Sequence, residues 1–63
     1  MIDSRPGEVL FEYTQVGNSV RVTAIDAATG MEVTIQVPLS LSNADMQRAA
    51  LRKLDYVLKK RKE

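Results

Sequence analysis

Three consecutive runs between residues 8 and 37 carry apolar side chains at every second position, and the two turns joining them agree on one register. The first run, Glu8 to Val16, places Val9, Phe11 and Tyr13 at period two. The second, Ser19 to Asp26, does so with Val20, Val22 and Ala24, and the third, Met31 to Val37, with Val33, Ile35 and Val37. Period-two alternation predicts antiparallel strands with one buried face. Gly17-Asn18 forms a two-residue hairpin loop, and Gly in its first position suits a type II′ turn, which needs positive φ there. Closing that loop sets Val16 against Ser19, Tyr13 against Val22 and Phe11 against Ala24. Asp26 to Met31 makes the second reversal, with Asp26 accepting bonds from turn amides and Gly30 free to turn left-handed. It sets Ala24 against Val33 and Val22 against Ile35. Both turns place the same residues on one face, and a slip by one residue at either would send that apolar set to solvent.

Pro38 cannot donate to a ladder and so helps to end the third strand. Ser42 reads as a helix N-cap, with Asp45 as a short capping-box partner and Leu41 stapling onto Met46. Met46, Ala50, Leu54 and Val57 then repeat at helical spacing, flanked by Leu51 and Leu58, which predicts a helix over 43–60 covering the sheet. At about 1.5 Å per residue it would span roughly 27 Å. The expected fold is α+β: a three-stranded antiparallel meander, order 1-2-3, with one C-terminal amphipathic helix packed on one face (β-β-β-α). The chain divides into a flexible N-terminus (1–7), the meander (8–37), a linker and helix cap (38–42), the helix (43–60) and a frayed basic tail (61–63).

Sixty-three residues make a single domain. A chain this short buries only about 60% of the surface its unfolded form exposes, so its stability alone should be marginal. With no Cys and no His, neither a disulfide nor a zinc site of the usual ligands can supplement the core, which leaves tight packing or self-association. Nothing at the N-terminus reads as a secretory signal and no apolar run approaches a membrane span, so a soluble cytoplasmic protein is expected.

A resemblance can be placed on two segments. Val20-Arg21-Val22-Thr23-Ala24-Ile25-Asp26-Ala27-Ala28-Thr29-Gly30-Met31-Glu32-Val33 and Arg52-Lys53-Leu54-Asp55-Tyr56-Val57-Leu58-Lys59-Lys60 resemble a family of short, uncharacterised bacterial proteins, a domain of unknown function. The likeness covers nearly the whole chain and is carried by turn and core residues, so it implies a fold and no chemistry. Members of that family have sometimes carried the name serine hydroxymethyltransferase. A pyridoxal-phosphate enzyme needs a large domain around its cofactor, and 63 residues are too few to enclose one, so no cofactor is expected.

Catalysis has no candidates in the residue inventory. The chain has no His for acid-base work near neutrality, and Gly7, Gly17 and Gly30 form no phosphate-binding loop. The carboxylates have structural roles in prospect: Asp26 in a turn, Asp45 at a cap, Asp55 paired with Lys59 at i+4, and Glu12 diagonal to Arg21 as a cross-strand ion pair. A non-enzymatic protein with no small-molecule substrate is expected.

Two surfaces remain for a partner. The net charge of +1 hides two basic residues against six acidic over 1–45 and seven basic against two acidic over 46–63. Arg52, Lys53, Lys59, Lys60 and Lys62 could contact phosphates, although cations at a helix C-terminus also complement its dipole. Tyr56 sits among Arg52, Lys53 and Lys60, away from the apolar stripe, either lying along their stems or serving as an interface anchor. The outer sheet face carries the rows Leu10-Ile25-Glu32, Glu12-Thr23-Thr34 and Thr14-Arg21-Gln36, and one helix cannot cover both faces. Leu10, Ile25, Thr23, Thr34 and Tyr56 are therefore the candidate interface residues. The expected role is a protein-interaction module, a homodimer through the sheet face or its open edges or an accessory subunit to another protein, with weak nucleic-acid binding by the helix as the alternative.

Overall fold

A computed structural model describes residues 8–61, and the expectations that fall on 1–7 and 62–63 lie outside the described residues. Three strands, β1 (Val9–Val16), β2 (Ser19–Asp26) and β3 (Glu32–Pro38), form one antiparallel sheet in the order β1-β2-β3. Helix α1 (Asn43–Arg61) packs on one face, which makes the chain a two-layer α+β domain.

The register is the expected one in both hairpins. Val16 opposes Ser19, Tyr13 opposes Val22 and Phe11 opposes Ala24; Val22 then opposes Ile35 and Ala24 opposes Val33. At the first turn Gly17 has φ of 59° and Asn18 has no positive φ, the combination of a type II′ turn. At the second, Gly30 has φ of 78°. There the Thr29 hydroxyl donates to Asp26 Oδ2 at 2.7 Å and the Thr29 amide to the same oxygen at 3.2 Å. The Gly30 amide donates to the Asp26 carbonyl at 2.8 Å. Asp26 is 7% exposed, so these bonds satisfy a buried carboxylate at the point where the chain reverses.

The boundaries differ from the expected ones by a residue. β1 begins at Val9 rather than Glu8, and β3 runs Glu32–Pro38 rather than 31–37. Met31 serves the turn, its carbonyl accepting from the Asp26 amide at 2.8 Å. Pro38 joins the strand because its missing N–H falls on the side away from β2, where no ladder bond is lost. The helix gains Arg61. Ser42 caps it as expected, Oγ accepting from the Asp45 amide at 3.1 Å. The reciprocal half of the capping box does not form: Asp45 Oδ1 instead accepts from Arg48 Nη1 at 2.8 Å. Asp is one methylene shorter than the Glu of a full box, and Arg48 stands one turn on.

The core is Val20, Val22, Ala24 and Val33 from the sheet against Met46, Ala50 and Leu54 from the helix. The helix therefore lies over β2 and β3, and β1 stands largely outside its cover. This corrects the expectation that the helix accounts for the whole inner face. Phe11 is only half-buried and Tyr13 is exposed. A helix is about 10 Å across with its side chains and strands repeat at about 4.8 Å, so one helix shields roughly two strands.

Candidate interaction surface

Hydrogen bonding at the ends of the strands fixes which backbone groups of the two outer strands are unpaired. The Ala27 amide donates to the Glu8 carbonyl at 3.0 Å, so even-numbered residues of β1 turn their amides and carbonyls toward β2. Val9, Phe11, Tyr13 and Gln15 turn theirs to the open edge. The Asp26 amide to Met31 carbonyl bond sets the same alternation across the second hairpin, so Glu32, Thr34 and Gln36 face the open edge of β3.

The two edges are not equivalent. On β3 the edge carbonyl of Thr34 accepts from Lys53 Nζ at 3.3 Å, and Pro38 occupies the strand end. A lysine and a proline are the devices by which sheet edges are kept from pairing. β1 has neither: its register runs unbroken from Val9 to Val16, without Pro, Gly or bulge, and Glu12 is its one charged residue. Of the six large apolar or aromatic side chains that are exposed among the described residues, Leu10 at 47%, Tyr13 at 39% and Val16 at 44% all lie on β1. Beside its inner face, Val9 borders an open cleft of about 460 Å³ against Leu51, Leu54 and Leu58 of the helix, with Arg48 and Arg52 at its margin.

The residues expected to form an interface divide between two places. Leu10 opposes Ile25 and Thr23 opposes Thr34 on the outer face, where the threonine hydroxyls lie 3.0 Å apart. Leu10 is exposed, but Ile25 in the central strand is half-buried between its neighbours. Tyr56, 62% exposed, belongs to the helix and is not part of that face; Lys60 Nζ sits 5.6 Å from its ring centroid. Tyr13 and Val16 were missing from the expected interface. The signal for Tyr13 was the narrow helical stripe of Met46, Ala50, Leu54 and Val57, too narrow for three strands.

The basic residues of the helix are largely engaged within the chain. Arg48 pairs with Asp45 at 2.8 Å, Lys59 pairs with Asp55 at 3.4 Å as expected, Lys53 holds Thr34, and Lys60 lies over Tyr56. The expected pair of Glu12 with Arg21 does not form within 4.0 Å among the described residues, which leaves these two exposed side chains to solvent. Lys62 lies outside the described residues. Among those residues no cluster of His, Cys, Asp and Glu is arranged to hold a metal ion, and no helix is long and apolar enough to cross a membrane. Of the two carboxylates lining the cleft, Asp26 accepts from Thr29 and Asp55 pairs with Lys59.

What fold and surface define is a small α+β domain whose three-stranded sheet has two open edges, that of β1 without a lysine or proline to guard it. A family model described as a domain of unknown function (DUF6898) matches residues 6–61, and the chain belongs to that family. No curated protein and no solved structure matches it.

Proposed function

We propose that this protein is a non-enzymatic interaction module that self-associates, with β1 and its surroundings as the contact surface. The observation that carries this reading is that large apolar or aromatic side chains stand exposed on both faces of β1: Tyr13 on the inner face, because the helix covers β2 and β3 and not β1, and Leu10 and Val16 on the outer face, which no helix covers. A chain of this size has little core of its own, and association buries apolar surface that the fold cannot reach. Light scattering over a concentration series tests it. A dimer is expected at micromolar concentration, with Leu10→Glu plus Ile25→Lys shifting it to monomer. A monomer at every concentration would overturn the reading.

A further inference from the structure

Resting on that reading, we infer that the partner is a second copy of this chain, joined by antiparallel pairing of β1 with β1 about a two-fold axis through Tyr13. The reasoning starts from which groups are available. Val9, Phe11, Tyr13 and Gln15 carry the outward amides and carbonyls, so each must face another odd-numbered residue for the bonds to form. In a two-fold pairing this requires the axis to pass through a residue rather than between two.

The side chains then choose among the available axes. An axis at Glu12 sets two carboxylates directly opposite each other, which like charges disfavour. An axis at Phe11 puts Leu10 opposite Glu12 of the second copy, and one at Thr14 puts Glu12 opposite Val16, so each buries an apolar chain against a charge. The axis at Tyr13 sets Leu10 opposite Val16 of the second copy, twice by symmetry. Glu12 then faces Thr14, Phe11 faces Gln15, and the two Tyr13 rings meet. This register matches the exposure pattern of the large apolar and aromatic side chains of β1: Leu10 meets Val16 across the seam on the outer face, and Tyr13 meets its own mate on the inner face.

The rest of the fold leaves room for it. Each helix sits over β2 and β3, and at about 4.8 Å per strand the two helix axes would stand roughly 19 Å apart, well clear of contact at about 10 Å per helix. The opposite edge is guarded against the same pairing by Lys53 on the Thr34 carbonyl and by Pro38 at the strand end, which favours two copies and one six-stranded sheet.

Single-cysteine crosslinking in the full chain tests this, because the natural sequence has no cysteine and every covalent dimer reports the introduced thiol. Under mild oxidation Tyr13→Cys is expected to give the dominant disulfide dimer, since residue 13 is its own symmetry mate at about 5.5 Å between Cα atoms, inside the range a disulfide spans. Phe11→Cys, Glu12→Cys and Thr14→Cys should crosslink far less. In a second arm, Leu10→Lys with Val16→Lys is expected to weaken the dimer at least tenfold by light scattering, and Leu10→Lys with Val16→Glu to recover it. A dimer that crosslinks best at another position, or that ignores the charge pattern at residues 10 and 16, would overturn the Tyr13 register and leave self-association standing. A protein that never dimerises would overturn both.

Discussion

Lys53, in the second half of α1, reaches over the sheet and donates from Nζ to the carbonyl of Thr34 at 3.3 Å. That bond spends a cation on a backbone group that would otherwise be open to another strand. Both partners are exposed, so its loss should cost the fold well under about 1 kcal/mol. The expected effect of Lys53→Gln is on assembly: with the β3 edge unguarded, light scattering should show species larger than a dimer that the unmodified protein lacks at equal concentration. An unchanged size distribution would mean that Pro38 and strand length suffice to guard that edge.

Asp26 and Thr29 form the hub of the second turn. Asp26→Ala removes the acceptor of both Thr29 bonds and is expected to cost about 1–3 kcal/mol in urea denaturation. Thr29→Val removes the hydroxyl that donates to Asp26 and accepts from the Met31 amide at 3.1 Å, with a smaller loss. The two losses should not add, because both substitutions break the same contact. Additive values would show that the bonds act separately.

Gly30→Ala reads backbone conformation alone. Apart from its two chain neighbours, no residue comes within 4 Å of where its Cβ would stand, so any cost comes from φ of 78°. About 1–2 kcal/mol of destabilisation is expected, with an unchanged circular dichroism spectrum. No loss of melting temperature would show that the turn had relaxed to another type.

Leu54 anchors the helix to the sheet and is 2% exposed. Leu54→Ala should cost about 2–5 kcal/mol. At about 0.05–0.15 kcal/mol per residue, the whole domain has only about 3–9 kcal/mol to lose. The variant is therefore expected to be substantially unfolded at low concentration and to refold as concentration rises, followed by far-ultraviolet circular dichroism. Helix content independent of concentration would separate folding from association.

The basic face gives the fifth prediction. Four of its side chains already have intrachain partners in Asp45, Asp55, Thr34 and Tyr56, so electrophoretic mobility of duplex DNA or RNA is expected to shift weakly at low salt and not at about 150 mM. Lys59→Gln, Lys60→Gln and Lys62→Gln together should then change little. A shift that persists at the higher salt and vanishes in the triple variant would favour a phosphate-binding helix.

The sequence was most legible where local rules left one solution. Gly17 and Gly30 pinned the turns, alternation pinned the faces, and every paired row from Leu10-Ile25 to Arg21-Gln36 lies where those two constraints put it. Ser42 was legible as a cap for the same reason, since its partner is three residues away. What the sequence concealed was lateral placement of the helix. A hydrophobic stripe says which side of a helix is buried but not which strands lie beneath it, and Ala24 and Ala50, both fully buried, draw the close contact over β2. Tyr13 was therefore read as core because it shares a face with Val22, its cross-strand partner, although Val22 is under the helix and Tyr13 is beside it.

The offset helix also divides the chain into parts of unequal permanence. β2, β3 and α1 share one core, whereas β1 is held mainly by its ladder to β2 and by the half-buried Val9 and Phe11. Such a strand can peel away while the remainder stays folded, a local opening cheaper than global unfolding. Its amides would then exchange with solvent ahead of those of β2, and whatever docks on β1 would act as a clasp, slowing that exchange without touching the core.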